Sequence, residues 1–353
     1  MKKLLTTAAS AVLLGLTSQA NAEIMMYNKG EASVSIGGYV KVDARHQDGD
    51  LAYRPFFIGN NPGAVDTNET RIYANESRLQ FKVRHGDVTG VIEVDFYGSG
   101  GNEIISNSYG TRLRHAFIKY DGWTVGQTWS SFMPLHALSE TLDFGGPHVG
   151  EVFIRQGMVR YSNGGWTFAI ENPETFGAGN SGSSQESYVD FVGRYDFKGD
   201  WGQASVAGLL RKVDQSGVDD TAAAINLAAK IKAGGKNDFR AQITLGEYGR
   251  YAGTTAVPDV AIEDGVTVVE EGVSYKVSYR HFWNDSTRST FYYGASDADV
   301  TGQDRSHWGV NVIKSLTTKL KVGVEAGKYT VDDSALPGDL SSNYVQFSAA
   351  FVF

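Results

Sequence analysis

The stretch NYVQFSAAFVF, residues 343–353, sends Val345, Phe347, Ala349, Phe351 and Phe353 to one face and puts smaller or polar residues between them. A period of two belongs to a strand with two unlike faces. The same alternation recurs at 34–46, 76–86, 88–97, 111–120, 123–128, 153–162, 166–172 and 188–197. It continues at 201–212, 222–232, 237–246, 271–281, 288–296, 305–315, 319–330 and 342–353. These sixteen segments run to about ten residues each, the length a tilted strand needs to cross a bilayer.

The connections between them take two forms in turn. HGD, DG, NGG, KGD, GGK, WNDS and LTT are tight. QDGDLAYRPFFIGNNPGAVDTNETRIYAN, GSGGNEIISNSYG and EYGRYAGTTAVPDVAIEDGVTVVE are long. Short turns at one end and long loops at the other are built into a transmembrane barrel, whereas a β-sandwich or propeller has no reason for them. In ESRLQFKVRH, residues 76–85, Leu79, Phe81 and Val83 share a face, and Arg78, Gln80, Lys82 and Arg84 share the other. Facing lipid near the midplane costs about 2–4 kcal/mol for each Arg or Lys, so the charged face belongs to a water-filled lumen. The expected fold is all-β: a transmembrane antiparallel β-barrel of about sixteen strands.

Composition agrees. Glycine accounts for 42 of 353 residues, Tyr and Phe for 18 each, and Pro for only 7, which is a strand-and-turn usage. MKK, the apolar LLTTAASAVLLGL and the small-residue site ANA at 20–22 read as a secretory signal peptide over 1–22. Residues 23–353 then form a single barrel domain. Losing Lys2 and Lys3 takes the formal net charge from −8 to −10, an acidic balance that argues against nucleic acid as a partner. The chain has no cysteine, hence no disulfide framework, and no apolar run long enough for a spanning helix.

Residues 130–152, SSFMPLHALSETLDFGGPHVGEV, break the alternation with Pro134, a helix-compatible PLHALSE and a turn-forming FGGP. They follow the fifth strand and so form the third long loop. The terminal strand ending in Phe resembles the assembly signal of Gram-negative outer-membrane barrels. GQTWSSFMPLHALSETLDFGGP followed by FIRQGMVRYS resembles the DcaP-like family of trimeric outer-membrane porins, as do GGYVKVDARH, RLQFKV and RLRHAFIKYDGWTVGQTW. The resemblance is strongest over 34–162. It implies a sixteen-stranded homotrimer in a Gram-negative outer membrane, a third loop folded inward to constrict the pore (129–152), and uptake of small carboxylates and dicarboxylates. The first strand starts soon after the cleavage site, which departs from relatives with an N-terminal extension.

Alternation assigns the lumen its chemistry. The first strand turns Tyr39, Lys41, Asp43 and Arg45 inward, and the second turns Arg78, Lys82 and Arg84. The fourth contributes Arg112 and Arg114, with Leu113 and Phe117 outward, and the sixth contributes Gln156 and Arg160. Arg194, Arg211, Arg240, Lys276 and Arg280 follow. Glu93, Asp95 and Asp190 oppose them from the wall, and Glu140, Asp143 and Glu151 from the loop, where His136 and His148 also lie. Arg155 falls on the outward face by strict alternation, and at the constriction if the regular strand begins after it. Clustered cations in a narrow pore concentrate anions, and the arginine fork matches a carboxylate with two hydrogen bonds. The pore-lining candidates are therefore Lys41, Arg78, Lys82, Arg84, Arg112, Arg114, Arg155 and Arg160.

The expected function is passive diffusion of small anionic solutes, dicarboxylates or aromatic carboxylates. The alternative is a general diffusion porin in which the loop acids balance a cationic wall. An outer-membrane enzyme needs a nucleophile and base brought together, and no Ser, His and acid set meets that need. Inward Tyr39, Tyr97, Tyr188, Tyr292 and Tyr329 sit on separated strands and form no continuous sugar-binding track. Seven His without ligand spacing indicate no metal and no cofactor. QDGD at 47–50 reads as outer-loop polarity before it reads as a calcium site.

Overall fold

The computed structural model describes residues 23–54, 64–98, 100–143, 149–178, 184, 186–214, 217–253, 257–333 and 338–353. The leader at 1–22 and the FGGP turn with His148 lie outside the described residues.

The chain opens with β1 (Ile24–Lys29) and the long β2 (Ala32–Leu51), followed by β3 (Ala64–Tyr73), β4 (Arg78–His85) and β5 (Val88–Gly98). After the four-residue helix α1 (Glu103–Ser106) come β6 (Gly110–Tyr120), β7 (Trp123–Trp129), β8 (Arg155–Asn163) and β9 (Trp166–Glu171). Next are β10 (Asp190–Gly199), β11 (Gly202–Val213), β12 (Asp220–Lys232) and β13 (Asp238–Gly246). A separate hairpin of β14 (Val260–Glu263) and β15 (Val266–Val269) interrupts the series. The wall resumes with β16 (Gly272–Phe282), β17 (Thr287–Ala298), β18 (Gln303–Ser315), β19 (Leu320–Asp333) and β20 (Leu340–Val352).

Each wall strand pairs antiparallel with the next, and β20 returns to β2 with Gln346 opposite Arg45. β3 and β4 both pair with β2 and lie in one line along it. β1 pairs with the start of β2 where β20 leaves off, so these two also share a line. The 18 segments of the sheet therefore make a closed barrel of 16 strands.

The burial pattern is that of a soluble protein turned inside out. Along β2, Tyr39, Lys41, Asp43, Arg45 and Gln47 are buried while Val40 and Val42 are exposed. Phe81, Val83, Ile92, Leu210, Ile225, Leu227, Phe347 and Phe351 are exposed apolar residues on other strands. Such a face is stable only against hydrocarbon. Near the short turns Trp123, Trp166, Trp201 and Trp283 are exposed as well. They form an aromatic girdle at the membrane boundary, where an indole meets both lipid and water.

Three sequence expectations change. Residues read as one long loop after 46 contain the end of β2 and all of β3, so QDGD at 47–50 belongs to a strand. The loop after 246 holds the β14–β15 hairpin. A bulge in β6 leaves Arg114 as the extra residue, with Glu93 opposite His115 and Val94 opposite Leu113. The bulge reverses the alternation beyond it: Ile118 is exposed on the outside, and Phe117 and Lys119 turn to the lumen instead of away from it.

Candidate functional site

The segment between β7 and β8, loop three, lies along the inside of the wall. It leaves β7 with Ser130 Oγ and Ser131 N donating to the Glu171 carboxylate, each at 2.7 Å. Arg194 on β10 donates to the Met133 carbonyl at 2.8 Å. Arg240 on β13 holds the Leu138 carbonyl and Lys276 on β16 that of Ala137. Arg288 on β17 takes Glu140 with two bonds of 2.7 and 2.5 Å, and Arg280 reaches the same carboxylate at 3.3 Å. Asn311 on β18 donates to the Glu140 carbonyl at 2.8 Å.

The far end of the loop is fixed as firmly. Leu142 N donates to Glu325 on β19 at 2.7 Å, and its carbonyl accepts from Lys41 at 2.7 Å and Gln346 at 3.0 Å. Asp143 pairs with Arg45, and on the return Glu151 pairs with Lys276 at 3.0 Å. Glu325 is itself held by the Tyr292 hydroxyl at 2.9 Å and the Tyr344 hydroxyl at 3.2 Å. Among the described residues, the hydrogen bonds and ion pairs of loop three thus follow the wall from β9 round to β2, and none of them reaches the arc from β4 to β8.

On that bare arc the cations divide into two groups. Arg114 donates to Glu93 at 2.8 Å and to Asp95 at 3.0 Å, and Arg112 grips Asp95 with bonds of 3.0 and 2.8 Å. Arg78 lies over the Tyr39 ring and 4.0 Å from Glu76, Lys41 pairs with Asp43 and Glu76, and Lys82 pairs with Glu23. Arg84, Lys119 and Arg160 have no carboxylate within ion-pair distance among the described residues. Lys119, Thr124 and Arg160 occupy one cross-strand row over β6, β7 and β8, and the buried Thr124 places that row on the lumenal face. Arg160 reaches only a carbonyl, that of Trp129, at 3.4 Å.

The DcaP outer membrane protein family model matches residues 65–230. Over 97% of this chain and 100% of the other, the structure is similar to the outer membrane channel DcaP of Acinetobacter baumannii, with a TM-score of 0.81 and 23% identity. The chain is DcaP-like. Its barrel also resembles an anion-selective porin from Comamonas acidovorans, with a TM-score of 0.64 and 14% identity over 92% of this chain and all of that one. A Salmonella typhi OmpF in complex with daunomycin gives 0.61 and 14% over 94% and 100%. No curated protein sequence matches the chain.

The residues singled out in the DcaP-like sequence therefore fall into three places. Lys41, Glu140, Asp143 and Glu151 bind loop three to the wall. Arg78, Lys82, Arg84, Arg112, Arg114 and Arg160 line the bare arc. Arg155 stands at the edge of that arc: it pairs opposite the buried Trp129, and its guanidinium and that of Arg114 both lie over the Trp129 ring. Tyr188 precedes β10 and is exposed rather than lumenal. Lys119 escaped the sequence reading because the β6 bulge is marked only by the adjacent polar pair Arg114-His115.

Two loop-three groups titrate abnormally in the DcaP-like barrel. The Arg288 and Arg280 guanidiniums overcome the cost of burial and hold Glu140 down at about 2, while burial, reinforced by Arg194, lowers His136 to about 4. Both folded values lie below the ordinary ones, so the folded state binds fewer protons and acid favours unfolding. His136 contributes stability above pH ~6.5 that fades toward pH 4, and Glu140 contributes stability above pH ~4.5 that fades toward pH 2. The temperature at which folded barrel converts to the unfolded band on gels is expected to hold steady from pH 8 to 7 and to fall progressively below 6.5. A flat profile down to pH 3 would remove both groups from the anchoring of the loop.

Proposed function

We propose that this DcaP-like barrel is a passive channel for small anionic solutes, with dicarboxylates the preferred class. In this reading it is a homotrimer in the outer membrane of a Gram-negative bacterium, exported after cleavage of the leader at 1–22. One observation carries the selectivity. The acids of loop three are neutralised by wall cations, while Arg84, Lys119 and Arg160 line the opposite arc with no carboxylate within ion-pair distance among the described residues. The balance of loop acid against wall base that a general diffusion porin needs is thus used up inside the wall. What remains for a passing solute is positive.

Loop three is the constriction in this account. A diacid drawn by the Lys119–Arg160 row has Arg84 further along the same row for its second carboxylate, because Arg84 stands opposite Thr89 and Thr89 opposite Lys119, and the arginine fork suits that task. The Lewis-acid, redox or nucleophilic groups of an enzyme have no part in it.

The test is the reversal potential of the channel in a planar bilayer under a potassium chloride gradient, followed by added succinate. An anion-selective potential with succinate blockade is expected. One charge about 7 Å from the ion path, at an effective dielectric constant of about 40, is worth about 1 kcal/mol. Lys119→Ala with Arg160→Ala should therefore reduce the anion-to-cation permeability ratio about fivefold or more. Cation selectivity in the unaltered protein, or no change in the double variant, would return the reading to a general diffusion porin.

A further inference from the structure

A second long loop enters the lumen. Between β13 and β14, residues 247–253 and 257–259 fold back into the barrel as a strap. Tyr248, Tyr251 and Val257 are fully buried. They join one apolar cluster with Phe132, Val152 and Phe153 of loop three and Ala169, Val192 and Leu209 of the wall. Those three wall residues carry the cross-strand row of Lys119, Thr124 and Arg160 on to β9, β10 and β11. They therefore face the lumen, and strap and loop three together fill it on that side.

The strap and loop three share their anchors. The Tyr251 hydroxyl donates to Asp190 at 2.9 Å and lies 3.3 Å from Glu171, the carboxylate that also holds Ser130 and Ser131. Phe153 N donates to the Tyr251 carbonyl at 3.1 Å, and the Phe132 and Tyr251 rings meet edge to face at 5.8 Å. Gly253 has φ +72°, and a Cβ there would overlap the Phe153 carbonyl, so the contact is backbone on backbone. One side chain holds the strap down. The buried Asp259 accepts from Arg250 N at 3.0 Å and from Phe176 N at 2.7 Å, and it pairs with Arg211 on β11. It ties the strap to the wall and to the loop that follows β9. Loss of a buried carboxylate strands its cation, but Arg211 also has Asp190 at 3.3 Å, so the wall does not depend on the clasp.

We propose that the strap is a second constriction element, releasable without unfolding the barrel, and that Asp259 is the positioning residue that keeps it against loop three. With the strap seated, a passing solute is confined to the arc that carries Lys119 and Arg160. Its release clears the lumen over β9 to β11 and leaves those cations where they are. The strap therefore sets how much passes, and the arc sets which sign of charge is preferred. The proposal rests on loop three as the constriction of the channel and adds the part that narrows the pore beside it.

Trypsin makes the release visible, because the bond after Arg250 is covered while Tyr251 is buried. In Asp259→Ala that bond should be cut about a hundredfold faster than in the unaltered barrel, since cleavage follows the population of the open form and loss of the clasp raises it. The product is identified by sequencing the fragment that begins at Tyr251. Conductance in a planar bilayer should rise, while the reversal potential and the temperature of conversion to the unfolded gel band stay unchanged. Gly253→Ala, which pushes the strap off without touching Asp259, should do the same, and Asp259→Glu should restore protection. If Asp259→Ala gives no folded band, Gly253→Ala decides by the same readings. Ready cleavage of the unaltered protein after Arg250, or cleavage of the variants with no rise in conductance, would overturn the proposal. So would protection with unaltered conductance in both variants, or loss of the folded band in both. Neither reading uses ion preference, so a channel without anion selectivity would fail the reading of the cationic arc alone.

Discussion

Glu140→Ala is expected to produce the largest loss of stability of any single side-chain truncation in loop three. The carboxylate accepts two bonds from Arg288 and one from Arg280, and its removal leaves both guanidiniums inside the lumen without it. Breaking a buried ion pair from one side costs about 3–5 kcal/mol, chiefly because the surviving charge is stranded. The loop would lose its grip on β17 while keeping Lys276 on β16 and Lys41, Gln346 and Glu325 at its far end. The expected result is a lower temperature of conversion to the unfolded gel band, together with noisier single-channel current. Arg240→Ala removes a bond to the Leu138 carbonyl and a pairing with Asp238, which Arg280 still holds, and should have the smaller effect. If Glu140→Ala melts and conducts like the unaltered protein, the ion pair does not fix the loop.

Gly150→Ala is expected to be nearly as damaging for a different reason. Gly150 has φ +80°, and an added Cβ would overlap the Tyr275 carbonyl on β16, with the Ala295 nitrogen of β17 close behind. The left-handed backbone costs a non-glycine residue about 1–3 kcal/mol, and forcing backbone apart in a packed interior adds about 1–3 kcal/mol. The returning arm of loop three should lift from the wall and narrow the lumen, so conductance falls along with stability. Gly90→Ala is the control: no atom lies within 4 Å of its added Cβ. Equal behaviour of the two variants would show that the arm is not seated on the wall.

The barrel was legible because lipid and lumen impose opposite demands on alternate residues. Segments such as 34–46 and 342–353 carry that contrast at every position, and they became β2 and β20 with the expected faces. β3 was hidden because AVDTNETRIY is polar on both faces, as a strand can be where it is no longer bounded by hydrocarbon on one side. The β6 bulge was hidden because one extra residue changes phase without changing composition, and so Phe117 was assigned to the wrong side and Lys119 was passed over. The cations themselves were easy to find. Which of them remain uncompensated was not, since the deciding partners are far apart in sequence: Arg288 with Glu140, 148 residues away, and Arg45 with Gln346, 301 away. Arg155 was a genuine ambiguity of strand phase: strict alternation turns it outward, whereas its guanidinium shares the buried Trp129 ring with Arg114.

The seam between β2 and its two neighbours in line, β1 and β20, bears on how the molecule is made. Gly38 and Phe353 exchange backbone hydrogen bonds of 3.2 and 3.1 Å, so the edge of the first long strand is satisfied by a residue far away in sequence. Neighbouring hairpins form from contacts close in sequence, but this joint closes a loop of more than 300 residues, and its entropic cost is offset only once the hairpins between have paired. Sealing the cylinder therefore rests on the pairing of greatest sequence separation in the wall, and that pairing sets the pace at which a closed barrel appears.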